Sequence, residues 1–314
     1  MDTPGFGHLP PFVTDANGAE EGLLARQRAR GGVPKIFFTN TAAEYWRGDC
    51  ALLHIDPLSK RDLDLPADSR AYLFAGTQHG SGIVPLYRHN PLDGTRGAHS
   101  FNALDYTPLL RAALSNLDAW VTAGTEPPSS AVPRLADGTA VLNTTALDAY
   151  RNIPGATVPE PAWLPALRPT DLGPEAAQGI GRFPAIEGKP YPVYVSATDS
   201  DGNEAAGLRL PDVSVPVATH TGWNPRGAGI GGAGQLVALQ GSTIPFARTA
   251  AAREASADPR PAINERYQGR TDYLTRVREA AEKLVAQRAL LAEDLEMALR
   301  ATAERYDALR GDGG

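Results

Sequence analysis

Two short apolar segments, Ile36-Phe37-Phe38-Thr39 and Ala71-Tyr72-Leu73-Phe74-Ala75, each run without a break into a polar tip. An uninterrupted apolar run of this length suits a strand buried on both faces, the condition of strands in a parallel sheet covered by helices. Asn40-Thr-Ala-Ala-Glu44-Tyr-Trp46 follows the first strand, and Gly76-Thr-Gln-His79-Gly80 follows the second. Groups placed just past strand ends are rigidly anchored yet reachable from outside. That combination singles out Glu44 and His79.

The neighbouring elements agree with such a sheet. Glu20 to Arg30 has helix-forming composition and stops at Gly31-Gly32. Asp56 to Asp68 is charged and proline-bearing, as a surface connection should be. Tyr106 to Ala123 sets Leu109, Leu110, Ala113, Leu114, Leu117, Trp120 and Val121 on one helical stripe before Gly124. Helix, strand, loop, strand, loop, helix predicts an α/β fold, the closing half of a doubly wound sheet, over residues 1–124.

Composition then changes. Residues 127 to 225 hold 15 of the 27 prolines, which excludes long helices and favours short strands and turns. Within this Pro/Gly-rich, β-containing extension (125–270), Tyr191 to Thr198 alternates like a strand. Asp199-Ser-Asp-Gly-Asn203 supplies turn chemistry before Ala205 to Leu210, so a hairpin is expected. Asp199 to Glu204 superficially resembles a calcium loop, but lacks the twelfth-position glutamate and the flanking helices of one. The glycines from Gly227 to Gly234 predict a mobile loop. Residues 271–314 form the third region, with Leu274, Val277, Ala281, Leu284, Val285, Leu291 and Leu295 at helical spacing; one long helix or two abutting ones are expected, then a frayed Gly-Asp-Gly-Gly tail.

The formal charge of −6 offers no basic patch for nucleic acid. No apolar run approaches the roughly 20 residues that a membrane-crossing helix needs, and the first residues lack the pattern of a signal peptide. The single cysteine, Cys50, excludes an internal disulfide and reads as a small buried apolar residue. His54, His89, His99 and His220 do not fall at zinc-ligand spacings. The glycine run does not follow a strand as a dinucleotide fingerprint should. No metal and no cofactor is expected. His220, with Trp223 and Asn224, either lines a pocket or belongs to an ordinary packed loop.

A carboxylate after one strand and a histidine after the next, 79 − 44 = 35 residues on, follow the chain order of acid and base in one class of nucleophile–acid–base triad. In such a triad histidine takes the proton of a serine hydroxyl, and the carboxylate fixes its tautomer and stabilises the imidazolium. The bland alternative is that Glu44 pairs with Arg47 and His79 caps a turn; the ordered pair on successive strands favours the functional reading. The expected nucleophile is missing. None of the twelve serines lies in Gly-x-Ser-x-Gly, and Ser81, beside the histidine, sits after the wrong strand.

Asn40-Thr-x-x-Glu44-Tyr-Trp46 and Gly76-Thr-Gln-His79-Gly80 resemble the signatures of a bacterial alpha/beta hydrolase domain family of serine esterases. The likeness extends through Gly124-Thr-Glu-Pro-Pro-Ser129, Asp199-Ser-Asp-Gly-Asn-Glu204, Thr221-Gly-Trp-Asn224, Ile244-Pro-Phe-Ala247, Asp258-Pro-Arg260 and Glu265-Arg-Tyr267. The resemblance implies the C-terminal part of an α/β-hydrolase, with Glu44 as triad acid, His79 as triad base and the serine elbow on a portion preceding Met1. It implies a small-molecule ester substrate for the complete enzyme and an inactive isolated chain. A partner chain supplying the missing half, or self-association, is the expected state. A non-catalytic binding module that kept the fold and lost the nucleophile is the rival reading.

Overall fold

Ile36-Phe37-Phe38 opens a six-residue strand, β1 (Ile36–Thr41), which extends past Thr39 because Asn40 and Thr41 continue the ladder. In the computed structural model of the chain, which describes residues 13–14, 20–21, 25–58, 60–232 and 234–310, β1 passes directly into the helix α1 (Ala42–Arg47). Gly48, at φ 93°, ends that helix in the left-handed conformation glycine favours. The second apolar run forms β2 (Ser69–Phe74), parallel to β1 from Ile36 opposite Ser69 to Thr41 opposite Phe74. Both polar tips therefore leave the sheet at the same edge.

The far edge of β2 is met by two separate segments, with parallel bridges from Tyr72 to Ala131 and from Phe74 to Leu208. Among the described residues β1 is paired along one edge only, to β2. The expected doubly wound sheet is thus represented by this parallel pair and its two bridges. The remaining sheets are small and antiparallel. Ser100–Phe101 (β3) pairs with one side of Ser242–Pro245 (β7), whose other side holds Ala218–Thr221 (β6). Ala140–Leu142 (β4) pairs with Tyr194–Ser196 (β5).

Three sequence expectations are corrected. The helix expected over Glu20 to Arg30 is helical at Ala25–Arg30, whereas Glu20–Glu21 pairs antiparallel with Val13–Thr14. The hairpin expected from Tyr191 to Leu210 closes only near its tip, by the Thr198–Glu204 bridge, the Asp199 N–H bond to the Asn203 carbonyl and the Ala205 N–H bond to the Ala197 carbonyl. Its strands then part: β5 takes β4 as neighbour, and Leu208 goes to β2. The helix α2 (Thr107–Ala123) buries Leu109, Ala112, Ala113, Asn116 and Trp120, and leaves Leu110, Leu114 and Val121 exposed at 41, 68 and 63%. The predicted stripe was one apolar arc. Only part of it faces the core.

Alternation along β2 separates two cores. Tyr72 and Phe74 face Leu109 of α2 and the C-terminal helices, α3 (Arg270–Ala286) and α4 (Leu295–Arg310). Leu73 faces the opposite way, into Ala42, Tyr45 and Trp46 of α1, Tyr150, Val195 and Trp223. The C-terminal region is two helices joined by a turn, and residues 311–314 lie outside the described residues. Arg305 of α4 is buried against Asp212, its Nε and Nη2 donating to the two carboxylate oxygens at 2.7 and 2.8 Å. The glycine-rich segment is tied at its neck: Arg226 N–H donates to the Gln235 carbonyl, and its guanidinium to the carbonyls of Gly231 and Ile230. None of the helices among the described residues is long and apolar enough to cross a membrane.

Candidate active site

Thr41 ends β1 and stands three residues before Glu44 in the first turn of α1, a capping arrangement visible in the sequence as Thr-x-x-Glu. The Thr41 backbone N–H donates to Glu44 Oε2 at 2.7 Å, and the Thr41 hydroxyl donates to the same oxygen. One carboxylate oxygen is thereby fixed. The other, Oε1, contacts His79 Nδ1. Arg47 pairs with Asp49 at 3.2 Å and leaves the Glu44 carboxylate to His79. The Glu44 side chain is only 16% exposed, whereas the His79 side chain is 62% exposed. With Nδ1–H directed at the carboxylate, the imidazole keeps a lone pair on Nε2, and no side chain among the described residues bonds that nitrogen.

The loop beneath His79 is held at nearly every residue. Gly76, at φ 69°, makes the turn off β2 in a conformation that disfavours any side chain. Its N–H donates to Glu204 Oε2 at 2.8 Å, and its carbonyl accepts from Asn102 Nδ2 at 2.6 Å. Thr77 donates its hydroxyl to the Phe74 carbonyl, and Gln78 Oε1 accepts the N–H of Gly241. His79 donates its N–H to the Leu239 carbonyl, and its own carbonyl accepts the hydroxyl of Tyr106. Tyr106 stacks on Phe74 with ring centroids 5.3 Å apart. Burial raises the Tyr106 hydroxyl pKa, with the nearby Glu44 charge adding to the effect, so this group stays a proton donor at neutral pH.

A family model described as an alpha/beta hydrolase domain matches residues 11–300. This chain belongs to that family. No curated protein and no solved structure matches it. Within this alpha/beta hydrolase domain, adjacent parallel strands bring together the two residues singled out by the sequence. Neither Cys50 nor Ser81 is hydrogen-bonded to the His79 ring. Cys50 is buried, and burial together with the charges of Glu44 and Asp49 pushes its thiol pKa well up, away from thiolate chemistry. Ser81 is exposed beyond the loop.

The other sequence signatures build the support. Trp223 is fully buried between Trp46 and Tyr150, at centroid distances of 6.0 and 5.1 Å. Gly222 packs so closely on α1 that a Cβ there would stand 2.4 Å from the carbonyl carbon of Ala42. His220 is buried in β6, bonded to Thr243, and burial lowers its pKa to about 4. His220, Trp223 and Asn224 are therefore core residues, and the pocket alternative for them is set aside. His54 is likewise buried and bonded to the Tyr45 hydroxyl, with its pKa lowered to about 4. Among the described residues, no group of three or more histidines, cysteines and carboxylates is placed to hold a metal ion. Sequence reasoning missed Tyr106, Asn102 and Glu204, which reach the His79 loop from 26 to 128 positions away; only Thr41 carried a local signal.

Proposed function

We propose that this chain carries the acid and base of a serine ester hydrolase, with Glu44 as the acid, His79 as the base, and the nucleophilic serine supplied by polypeptide outside these 314 residues. The observation that carries the reading is the Glu44–His79 contact past adjacent parallel strands, one partner shielded and the other open to solvent. A serine hydroxyl brought to His79 Nε2 loses its proton to that nitrogen as its oxygen attacks the acyl carbonyl. The largely shielded Glu44 carboxylate stabilises the resulting imidazolium and holds its orientation. His79 then returns the proton to the leaving alcohol, and the cycle repeats with water to release the acid.

Two further features support an external contribution. β1 is paired on one edge only among the described residues, although Ile36-Phe37-Phe38 has the composition of a strand buried on both faces. Leu110, Leu114 and Val121 of α2 face outward beside it. A polypeptide adding a parallel strand to β1 would satisfy the edge and cover the helix. The test is reconstitution with the polypeptide encoded upstream and in frame. The chain alone should show no covalent labelling by a fluorophosphonate and no hydrolysis of a short-chain activated ester. The joined or mixed polypeptides should show both, and His79→Ala should abolish them. A reconstituted protein with neither property would favour the non-catalytic binding module, and labelling that survives His79→Ala would remove His79 from the role of base.

A further inference from the structure

Glu204 is fully buried beneath the loop that carries His79, and its two carboxylate oxygens are treated differently. Oε2 accepts the N–H of Gly76 at 2.8 Å, across 128 residues of sequence. Oε1 is buried and has no hydrogen-bond partner. A carboxylate in water has several partners on each oxygen, so an ionised group held this way is poorly solvated, whereas the neutral acid leaves much less charge stranded. The groups facing it do little to compensate. Tyr45 of α1 and Tyr150 on the other side are buried, and burial keeps both hydroxyls protonated. Arg209 is the one cation acting on it, and its guanidinium is engaged by Asp199 Oδ2 at 2.6 Å and by the Val213 carbonyl. His220, packed against Gly76 from behind, is neutral above about pH 4.

We propose that Glu204 is a proton-operated clamp on the His79 loop: protonated, it is accommodated beneath the closed loop, and once ionised its stranded charge, which the stronger bond from Gly76 only partly offsets, favours opening of the loop to water. Burial raises its pKa from 4.5 to about 7. An opening that rehydrates the carboxylate restores the ordinary value, so opening releases a proton between those two limits. The opening constant should then rise by about tenfold per pH unit from pH 5 to 7 and level off above that. The ceiling on the whole rise, set by the distance from 4.5 to about 7, is about 300-fold. The bearing of the clamp on catalysis rests on the reading of His79 given above; the clamp itself does not.

The measurement is amide hydrogen exchange of the full chain by mass spectrometry, followed on peptides spanning residues 74 to 82 from pH 5 to 8.5 and corrected for intrinsic exchange. Wild type should lose protection across pH 5 to 7, and Glu204→Gln, which retains an acceptor for Gly76 without ionising, should show flat protection. A flat wild-type profile, or the same slope in Glu204→Gln, would overturn the proposal. Should Glu204→Gln not fold, the carboxyl carbon of Glu204 in isotope-labelled wild type decides: titration near 7 upholds the clamp, and titration near 4.5 ends it. Neither readout needs esterase activity, so failure of the hydrolase reading and failure of the clamp are separately visible.

Discussion

Replacing Arg305 by methionine isolates the energetic role of one buried ion pair. Arg305 donates from Nε and Nη2 to both oxygens of Asp212, Thr302 adds its hydroxyl to Oδ2 at 2.9 Å, and both charged side chains are more than nine-tenths buried. This pair fastens α4 to the short helix Pro211–Ser214, which packs in turn on α3. With Arg305 removed, Asp212 keeps one hydroxyl and a neutral histidine nearby, which does not offset the desolvation of a carboxylate. Stranding a buried charge in this way costs about 3–5 kcal/mol. The expected outcome for Arg305→Met at pH 7 is a loss of that size by urea denaturation. Asp212→Asn combined with Arg305→Met should recover most of it, because no charge is then left stranded.

The pH dependence has a definite sign. In wild type, Arg305 depresses the Asp212 pKa against the opposing effect of burial, so the pair contributes stability above the unfolded aspartate value and loses it as pH falls through the folded one. In Arg305→Met, burial outweighs the remaining Thr302 hydrogen bond and lifts the Asp212 pKa. Destabilisation should then shrink as the pH is lowered toward 5 and deepen as it rises. A loss under about 1 kcal/mol at pH 7, or a double variant no more stable than the single one, would refute the argument that burial of an unpaired charge dominates.

Cys50 should react with a thiol reagent only at the rate of unfolding, because it is buried and its thiol pKa is raised; stoichiometric labelling within seconds in native buffer would contradict its placement in the core. The outward face of α2 should drive self-association of the isolated chain, and Leu110→Glu with Leu114→Glu should weaken it by about tenfold or more in sedimentation, each buried leucine being worth about 1.5–3 kcal/mol. A wild-type chain that stays monomeric at high concentration would show that this face needs no cover.

The parallel pair and its polar tips were legible because the signals are local: each strand is an unbroken apolar run ending in a polar tip, and the second tip carries glycines that let the chain turn. Glu44 and His79 were found on that basis. What the sequence hid is set at a distance. Leu208 leaves the expected hairpin because β2 offers it a free edge, and no pattern around residue 208 announces that edge. The face of α2 was misjudged for a related reason. Its apolar positions wrap widely around the helix, and the sequence alone does not say which of them the C-terminal helices cover. Glu204 looked like turn chemistry, since only the fold brings it to Gly76, Tyr45 and Tyr150, all far from it in the chain.

The tethers of the His79 loop also set a schedule. Gly76 depends on Asn102 and Glu204, His79 on Tyr106 and Leu239, and Gln78 on Gly241. A ribosome must therefore add 239 − 79 = 160 residues after His79 before its backbone N–H can find its acceptor. Translation at about 5–20 residues per second makes this a delay of roughly 8 to 32 s. During that interval both strands can pair, since all their ladder residues are already made, but the imidazole has no fixed address. The nascent chain thus acquires its sheet early and its chemistry late, and a hydroxyl waiting nearby would meet a fully tethered base only once synthesis has passed Gly241.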